Sequence, residues 1–420
     1  MEKKERAILV GVKLRRQPRW AVNDYLAELK ELTGTAGAKV IETVVSNQDK
    51  FQPQYLIGSG KAEELALKAE ENEADLIIFD EDLSPAQQRN LEEKTGLKII
   101  DRTQLILDIF AQHAQSQEGK FQVELAQLNY LLPRLVGKGT ILSRLGGGIG
   151  TRGPGETKLE IDRRRVREKI GRLKKDIEKI RGHRMLQRKQ RKERAVPTIA
   201  LVGYTNSGKS TLLNSLTGTQ VPVEDKLFST LDPVTRKAQL SNNQLILLID
   251  TVGFIRKLPY HLIASFKATL EEITEADLLL HILDAHHPQV IEHEKTVREI
   301  LEEIGAKGKE VIPVLNKIDL LENPHALRRL EKSLSDAVAI SALKKENLNS
   351  LLSRIMERLE GRYQKIRLFI PLSQGRLIAR LHQDGEILKE EYLENGVDMT
   401  LQIRREWVEQ LRPYKFNPDR

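Results

Sequence analysis

The stretch Gly203-Tyr204-Thr205-Asn206-Ser207-Gly208-Lys209-Ser210 constrains the fold of this chain more than any other feature. It follows an apolar run, Thr198-Ile199-Ala200-Leu201-Val202, patterned as a buried strand. It continues into Thr211-Leu212-Leu213-Asn214-Ser215-Leu216, which opens a helix. Strand, glycine loop and helix in that order make a phosphate-binding loop in an α/β domain. Gly203 and Gly208 let the backbone wrap a phosphate at dihedrals that other residues resist. Loop amides and the helix N-terminus supply positive potential. In this frame Lys209 reaches the β and γ phosphates, and the Ser210 hydroxyl ligates Mg2+.

The base is specified further on. Asn316-Lys317-Ile318-Asp319 follows another apolar run, Val311-Ile312-Pro313-Val314-Leu315. An Asp carboxylate accepts from both N1–H and the N2 amino group of guanine, and adenine offers neither. A site built around that pairing rejects the wrong base by roughly 10⁴ or more. Asn316 is expected to brace the phosphate loop, and the Lys317 stem to cover the ring face. Ser341-Ala342-Leu343, after the short strand Val338-Ala339-Ile340, is expected to complete the base pocket with backbone amides.

Between these motifs lies a strand ending in Asp-x-x-Gly, Leu245-Ile246-Leu247-Leu248-Ile249-Asp250-Thr251-Val252-Gly253. Asp250 would hold Mg2+ through water, and the Gly253 amide would sense the γ-phosphate. Phe228-Ser229-Thr230-Leu231-Asp232 precedes this element, and Thr230 is the candidate for the second hydroxyl on Mg2+. Ser229 and Thr235 compete for that role on spacing alone. In Ras-like GTPases a Gln follows the Asp-x-x-Gly glycine and orients the attacking water. Here the position is Phe254, and a hydrocarbon ring cannot orient water. Intrinsic hydrolysis should therefore be slow and be completed by a partner. A monovalent cation is a second route: Asn206 is a candidate K+ ligand, with a loop-bracing Asn as the alternative.

Strand and helix patterns alternate before this core. Strands are expected at Ala7–Val12, Lys39–Val45, Ala74–Phe79 and Lys98–Ile100, with helices at Val22–Leu32, at Lys61–Ala69 and from Ser84-Pro85 onward. Such alternation implies a mostly parallel sheet. Gly58-Ser59-Gly60-Lys61 resembles a phosphate loop but has Tyr55 where the first glycine belongs, so it reads as a turn entering a helix.

Two apolar stripes follow, Phe121, Leu125, Leu128, Leu132, Leu135 and then Val166, Ile170, Leu173, Ile177, Ile180. Both step by four and three residues, the spacing of a coiled-coil seam. They predict an antiparallel helical hairpin rather than two helices facing separate cores. Its tip, residues 137–156, is glycine-rich and carries Lys138, Arg144 and Arg152 with no acid before Glu156. A basic tip with permissive backbone suits structured RNA, where shape and phosphates dominate recognition; a solvated linker is the plain alternative. Arg163-Arg164-Arg165, Lys174-Lys175 and the run from Arg188 to Arg194 add a basic face.

The expected fold class is therefore α/β. It comprises an N-terminal α/β domain (1–115), a long antiparallel helical hairpin (116–195), a central P-loop GTPase domain with a mostly parallel, doubly wound sheet (196–362), and a small C-terminal α+β domain (363–420). A formal net charge of +8 favours a polyanionic partner. The chain has no cysteine, which excludes disulfides, thiolate metal sites and a cysteine nucleophile. No apolar stretch has transmembrane length, and the N-terminus does not read as a signal peptide. His286-His287 follow Asp284 without a third metal-ligand pattern, and read as a loop.

Taken together, these residues resemble the HflX family of ribosome-associated GTPases over nearly the whole chain. The most specific parts are the run from Gly147 to Glu160, Leu227-Phe228-Ser229-Thr230-Leu231-Asp232-Pro233, and Asp250-Thr251-Val252-Gly253-Phe254-Ile255-Arg256. The resemblance implies Ser210 and Thr230 as Mg2+ ligands. It also implies binding to the large ribosomal subunit and to intact ribosomes, with the helical tip near the peptidyl-transferase centre. It further implies GTP-dependent splitting of stalled ribosomes, and ribosome-stimulated hydrolysis, by a cytoplasmic monomer. A large-subunit assembly GTPase and a peripheral membrane GTPase are the alternatives.

Overall fold

The computed structural model describes residues 4–15, 18–135, 158–193, 196–218, 227–240, 244–257, 267–360 and 363–416. The hairpin tip with Lys138, Arg144 and Arg152 lies outside these, as does Arg194. The chain forms two compact units. The first holds residues 1–178 together with 224–232 and 257–267; the second holds 179–223, 233–256 and 268–420.

In the first unit, β1 (Arg6–Leu14), β2 (Lys39–Gln48), β3 (Leu76–Phe79) and β4 (Lys98–Asp101) form a sheet in the order β2-β1-β3-β4. All three pairings are parallel. The helices are α1 (Arg19–Thr35), α2 (Ser59–Glu71), α3 (Pro85–Thr95) and α4 (Arg102–His113). The run Leu76-Ile77-Ile78-Phe79 is wholly buried, as a parallel strand covered on both faces requires. Ser84 and Gln87 form a reciprocal capping box at the start of α3. Ser59 opens α2, so Gly58–Lys61 is a turn into a helix. Helix α4 was not anticipated from the sequence. Leu105, Ile106, Leu107, Ile109 and Phe110 are all buried, and Gln104, Asp108 and Gln112, four residues apart, leave only a narrow polar stripe opposite them.

Helices α5 (Gln117–Arg134) and α6 (Lys158–Glu193) carry the two predicted stripes. Leu125, Ile170 and Leu173 form their common core, with Phe121, Leu128, Leu132, Val166 and Ile177 packed on it. Leu135 and Ile180 lie outside that seam. A Lys169–Glu124 ion pair flanks it, and Arg164, Arg165, Lys174 and Lys175 face solvent.

The second unit is built on a six-stranded sheet of β5 (Thr198–Gly203), β6 (Val234–Gln239), β7 (Leu245–Asp250), β8 (Leu278–Asp284), β9 (Val311–Asn316) and β10 (Val338–Ala339), in the order β10-β9-β8-β5-β7-β6. Only the edge strand β6 runs antiparallel to its neighbour. Helices α7 (Lys209–Thr217), α8 (Lys267–Glu275), α9 (Val290–Glu303), α10 (Pro324–Ser333) and α11 (Leu348–Glu360) accompany it. After α11 come β11 (Tyr363–Pro371), α12 (Gly375–Asp384), β12 (Glu386–Leu393), β13 (Gly396–Arg404) and α13 (Arg405–Leu411). The three strands pair antiparallel in the order β11-β13-β12. Among the described residues no helix is long and apolar enough to cross a membrane.

Candidate nucleotide site

The phosphate loop leaves β5 at Gly203 and enters α7 at Lys209. Gly208 has φ +93°, and a Cβ there would lie 2.3 Å from Asn316 Nδ2. Glycine thus admits Asn316 to the loop. Asn316 Nδ2 donates to Ser207 O at 2.9 Å, and its Oδ1 accepts from Ala342 N at 2.9 Å. One side chain joins the phosphate loop, the Asn-Lys-x-Asp turn and the Ser-Ala-Leu segment. Lys317 adopts φ +64° and pairs with Asp284 Oδ2 at 2.7 Å. Asp319 sits half-buried in a single 3-10 turn, Ile318–Leu320. Ser215 Oγ donates to Ala342 O, and Ser341 Oγ accepts from Lys344 N. The Leu343 side chain is exposed.

Lys209 is buried. Its ammonium donates to Tyr204 O at 2.8 Å and Gly203 O at 3.2 Å. Burial pulls its pKa down to about 8, against the opposing charge of Asp250. Ser210 Oγ donates to Asp250 Oδ2 at 2.6 Å, and Thr251 Oγ1 donates to Leu201 O at 2.7 Å. Thr205 Oγ1 and Ser207 Oγ are buried without a hydrogen-bond partner. Two such hydroxyls on one loop cost about 1–3 kcal/mol each, and a loop-bound anion would satisfy them. Asn206 is exposed at φ +59°; Thr211 is half-buried in the first turn of α7, and Val252 is buried.

The Asp-x-x-Gly segment is tied to this loop through the backbone. Phe254 N donates to Gly203 O at 3.0 Å, and Thr205 N donates to Phe254 O at 2.8 Å. A Cβ at Gly253 would meet Thr205 Cα at 2.8 Å and Lys209 Nζ at 3.1 Å, so only glycine allows that approach. The Phe254 ring is 1% exposed. Arg256 N donates to the Tyr204 hydroxyl at 2.9 Å.

Residues 228–232 group with the first unit, as does Lys257. Phe228 stands edge-on to Phe110, with ring centroids 4.7 Å apart. Asp232 Oδ2 accepts from Gln115 N at 2.9 Å and Ser116 N at 2.7 Å, and its Oδ1 accepts from Ser116 Oγ. Ser116 Oγ in turn caps α5 through Gly119 N at 2.9 Å. Leu231 is buried, and Ser229 and Thr230 are half-buried. Thr235 lies on β6 in the second unit. Sequence reasoning did not anticipate that the Phe228 ring and the Asp232 carboxylate engage α4 and the α5 cap. It also passed over Lys257, whose only signal was its place directly after Arg256. Among the described residues no cluster of His, Asp and Glu could hold a metal ion; the ring of His287 lies 4.3 Å from that of His293.

Three family models cover most of the chain: "GTP-binding GTPase N-terminal" over residues 23–111, "GTP-binding GTPase Middle Region" over 113–191 and "50S ribosome-binding GTPase" over 198–317. The GTPase HflX of Caldanaerobacter subterraneus is 46% identical over 98% of this chain and 94% of its own length. That of Escherichia coli is 42% identical over 94% and 92%. This chain belongs to the HflX GTPase family. Its catalysed reaction is the hydrolysis of GTP, on the domain that carries the phosphate loop. Among solved structures, a GDP complex of SsGBP is 30% identical, covering 84% of this chain and 98% of that one, with a TM-score of 0.47.

Proposed function

We propose that this HflX-family chain is a ribosome-splitting GTPase. It binds the large ribosomal subunit and intact ribosomes, separates stalled ribosomes into subunits in its GTP form, and is reset by ribosome-stimulated hydrolysis. Guanine is read by Asp319, and the phosphates are held by the loop amides and Lys209. Ser210, Thr230 and, through water, Asp250 hold the Mg2+. When bound, that ion neutralises charge on the β and γ phosphates. Lys138, Arg144 and Arg152 meet ribosomal RNA near the peptidyl-transferase centre. The protein acts as a cytoplasmic, ribosome-associated monomer. The apolar Phe254 leaves the attacking water to be ordered from outside the side chains of the site, by the ribosome or by K+ on Asn206.

The observation that supports this reading best is the carboxylate of Asp232. It lies two residues after Thr230 and accepts the N–H groups that open α5, the first helix of the hairpin. A γ-phosphate that ordered Thr230 would thereby act on the base of the element bearing the basic tip.

The test is gradient sedimentation of intact ribosomes with the protein and GTP, a non-hydrolysable analogue or GDP. Conversion to free subunits with the triphosphates alone is expected. Co-sedimentation with the large subunit and no splitting would replace splitting with an assembly role. No association under any nucleotide would refute both.

A further inference from the structure

The second residue of a phosphate loop ordinarily contributes its backbone and little else. Here it is Tyr204, 5% exposed, and its side chain has a defined place. The ring lies flat against the imidazole of His293 on α9, with centroids 3.7 Å apart and planes inclined by 2°. The His287 ring also lies against that imidazole, with centroids 4.3 Å apart and planes inclined by 33°. At the other end of the ring, the phenol oxygen accepts the Arg256 amide at 2.9 Å. Burial, with His287 and Arg256 nearby, pulls the His293 pKa down to about 3, so the stacked imidazole is neutral at physiological pH.

These contacts matter because of what stands beside them. Phe254 has no water-orienting group on its side chain, so what this position gives the attacking water comes from its backbone. Gly203 O and Thr205 N fix that backbone at Phe254. The next anchor is the Tyr204 hydroxyl at Arg256. The stack on His293 fixes the ring plane, and with it the position of that hydroxyl. Stacked aromatic pairs add stability beyond the area they bury.

We infer that Tyr204 is a positioning residue for GTP hydrolysis: its phenol, braced by His293, holds the backbone that follows Gly253 at a fixed height above the phosphate loop. The chain thereby places with a loop tyrosine part of what related enzymes place with the missing Gln. The inference needs only the GTPase activity and is independent of ribosome splitting.

Single-turnover GTP hydrolysis by the full-length protein, without ribosomes, tests it. Tyr204→Phe keeps the ring and removes the acceptor. It should lower the hydrolysis rate about three- to tenfold, the worth of one hydrogen bond. The Kd for a fluorescent GTP analogue should stay within about twofold. Hydrogen exchange in the peptide spanning Arg256 should speed up in the same variant. His293→Ala should reproduce the rate loss, and His293→Phe, which restores a flat ring, should recover most of it. A wild-type rate in Tyr204→Phe would overturn the inference. So would a Kd that rises in step with the rate loss, since Tyr204 would then only help to bind nucleotide. Unchanged exchange at Arg256 would overturn it as well.

Discussion

Lys257 donates to Asp80 at the end of β3, with Nζ 2.5 Å from Oδ2, and also reaches Glu81 at 2.8 Å. The ammonium lies 4.5 Å above the ring of Tyr25. Burial alone would pull the lysine pKa down, but the two carboxylates outweigh it and hold the pKa above the usual lysine value. Asp80 is simultaneously bound by Arg102 at 2.8 Å, and Arg102 is also paired with Glu28. Lys257, Asp80, Glu81, Arg102 and Glu28 thus form one charge cluster within the first unit.

Removing one partner of such a cluster leaves the other charged and desolvated. Lys257→Met should cost about 1–3 kcal/mol and Asp80→Ala more, because Arg102 then also loses a partner. Thermal melting checks the order of the two. Equal melting temperatures for Lys257→Met and wild type would show that the lysine's place in the cluster contributes nothing.

Asp232 should behave differently. Asp232→Ala removes the acceptor for two backbone amides at the α5 entry, at a cost of about 1 kcal/mol by analogy with lost caps. We expect GTP affinity within a few-fold of wild type, with a larger drop in ribosome-stimulated hydrolysis. Equal losses in affinity and stimulation would place Asp232 in the nucleotide pocket instead.

Asp319→Asn should exchange guanine for xanthine preference. The amide can still accept from N1–H and can donate to the xanthine O2, while guanine's amino group faces a donor. GTP binding should weaken by about a hundredfold or more, and XTP should bind in its place. Nucleotide titrations measure both, and retained guanine preference would remove Asp319 from base recognition.

Acid should destabilise the second unit through His281. Its Nε2 is buried in β8 without a partner, and burial pulls its pKa down to about 3. The fold holds it neutral, whereas the unfolded chain protonates it near pH 6.5. Its contribution is therefore complete above pH 6.5 and is lost as the pH falls from there toward 3, at about 1.4 kcal/mol per pH unit. His281→Leu should flatten the stability profile between pH 6.5 and 4. His293, also held near 3, retains its own share. Urea denaturation at a series of pH values checks the slope.

The parts of this molecule legible in its sequence are those in which short-range pattern decides structure. Apolar runs ending at Gly203, Asp250 and Asn316 became β5, β7 and β9, with the expected motif at the end of each. The heptad stripes became one seam because the 3.5-residue period leaves few other partners. Helix α4 was missed because its polar stripe, Gln104, Asp108 and Gln112, is narrow beside its apolar face. The stack of Tyr204 on His293 joins residues far apart in the chain through an aromatic contact that no local pattern marks. Lys257 adopts φ +52°, a dihedral uncommon for lysine, and its partners lie in a domain encoded long before it. The Asn316 brace on the phosphate loop could be read from its motif, but not the contacts of Tyr204, Asp232 and Lys257 that hold their own segments in place.

The burial of Phe254 has an evolutionary corollary. The ring is buried, and the Phe254 backbone is bonded to Gly203 and Thr205 of the phosphate loop. A glutamine in the same place would bury its amide, at a cost of about 1–3 kcal/mol for each group left unpaired. A single substitution toward the commoner catalytic residue therefore weakens the fold without repairing the site. The route from Phe254 to a glutamine is thus uphill in stability at its first step, whatever sets the rate of hydrolysis.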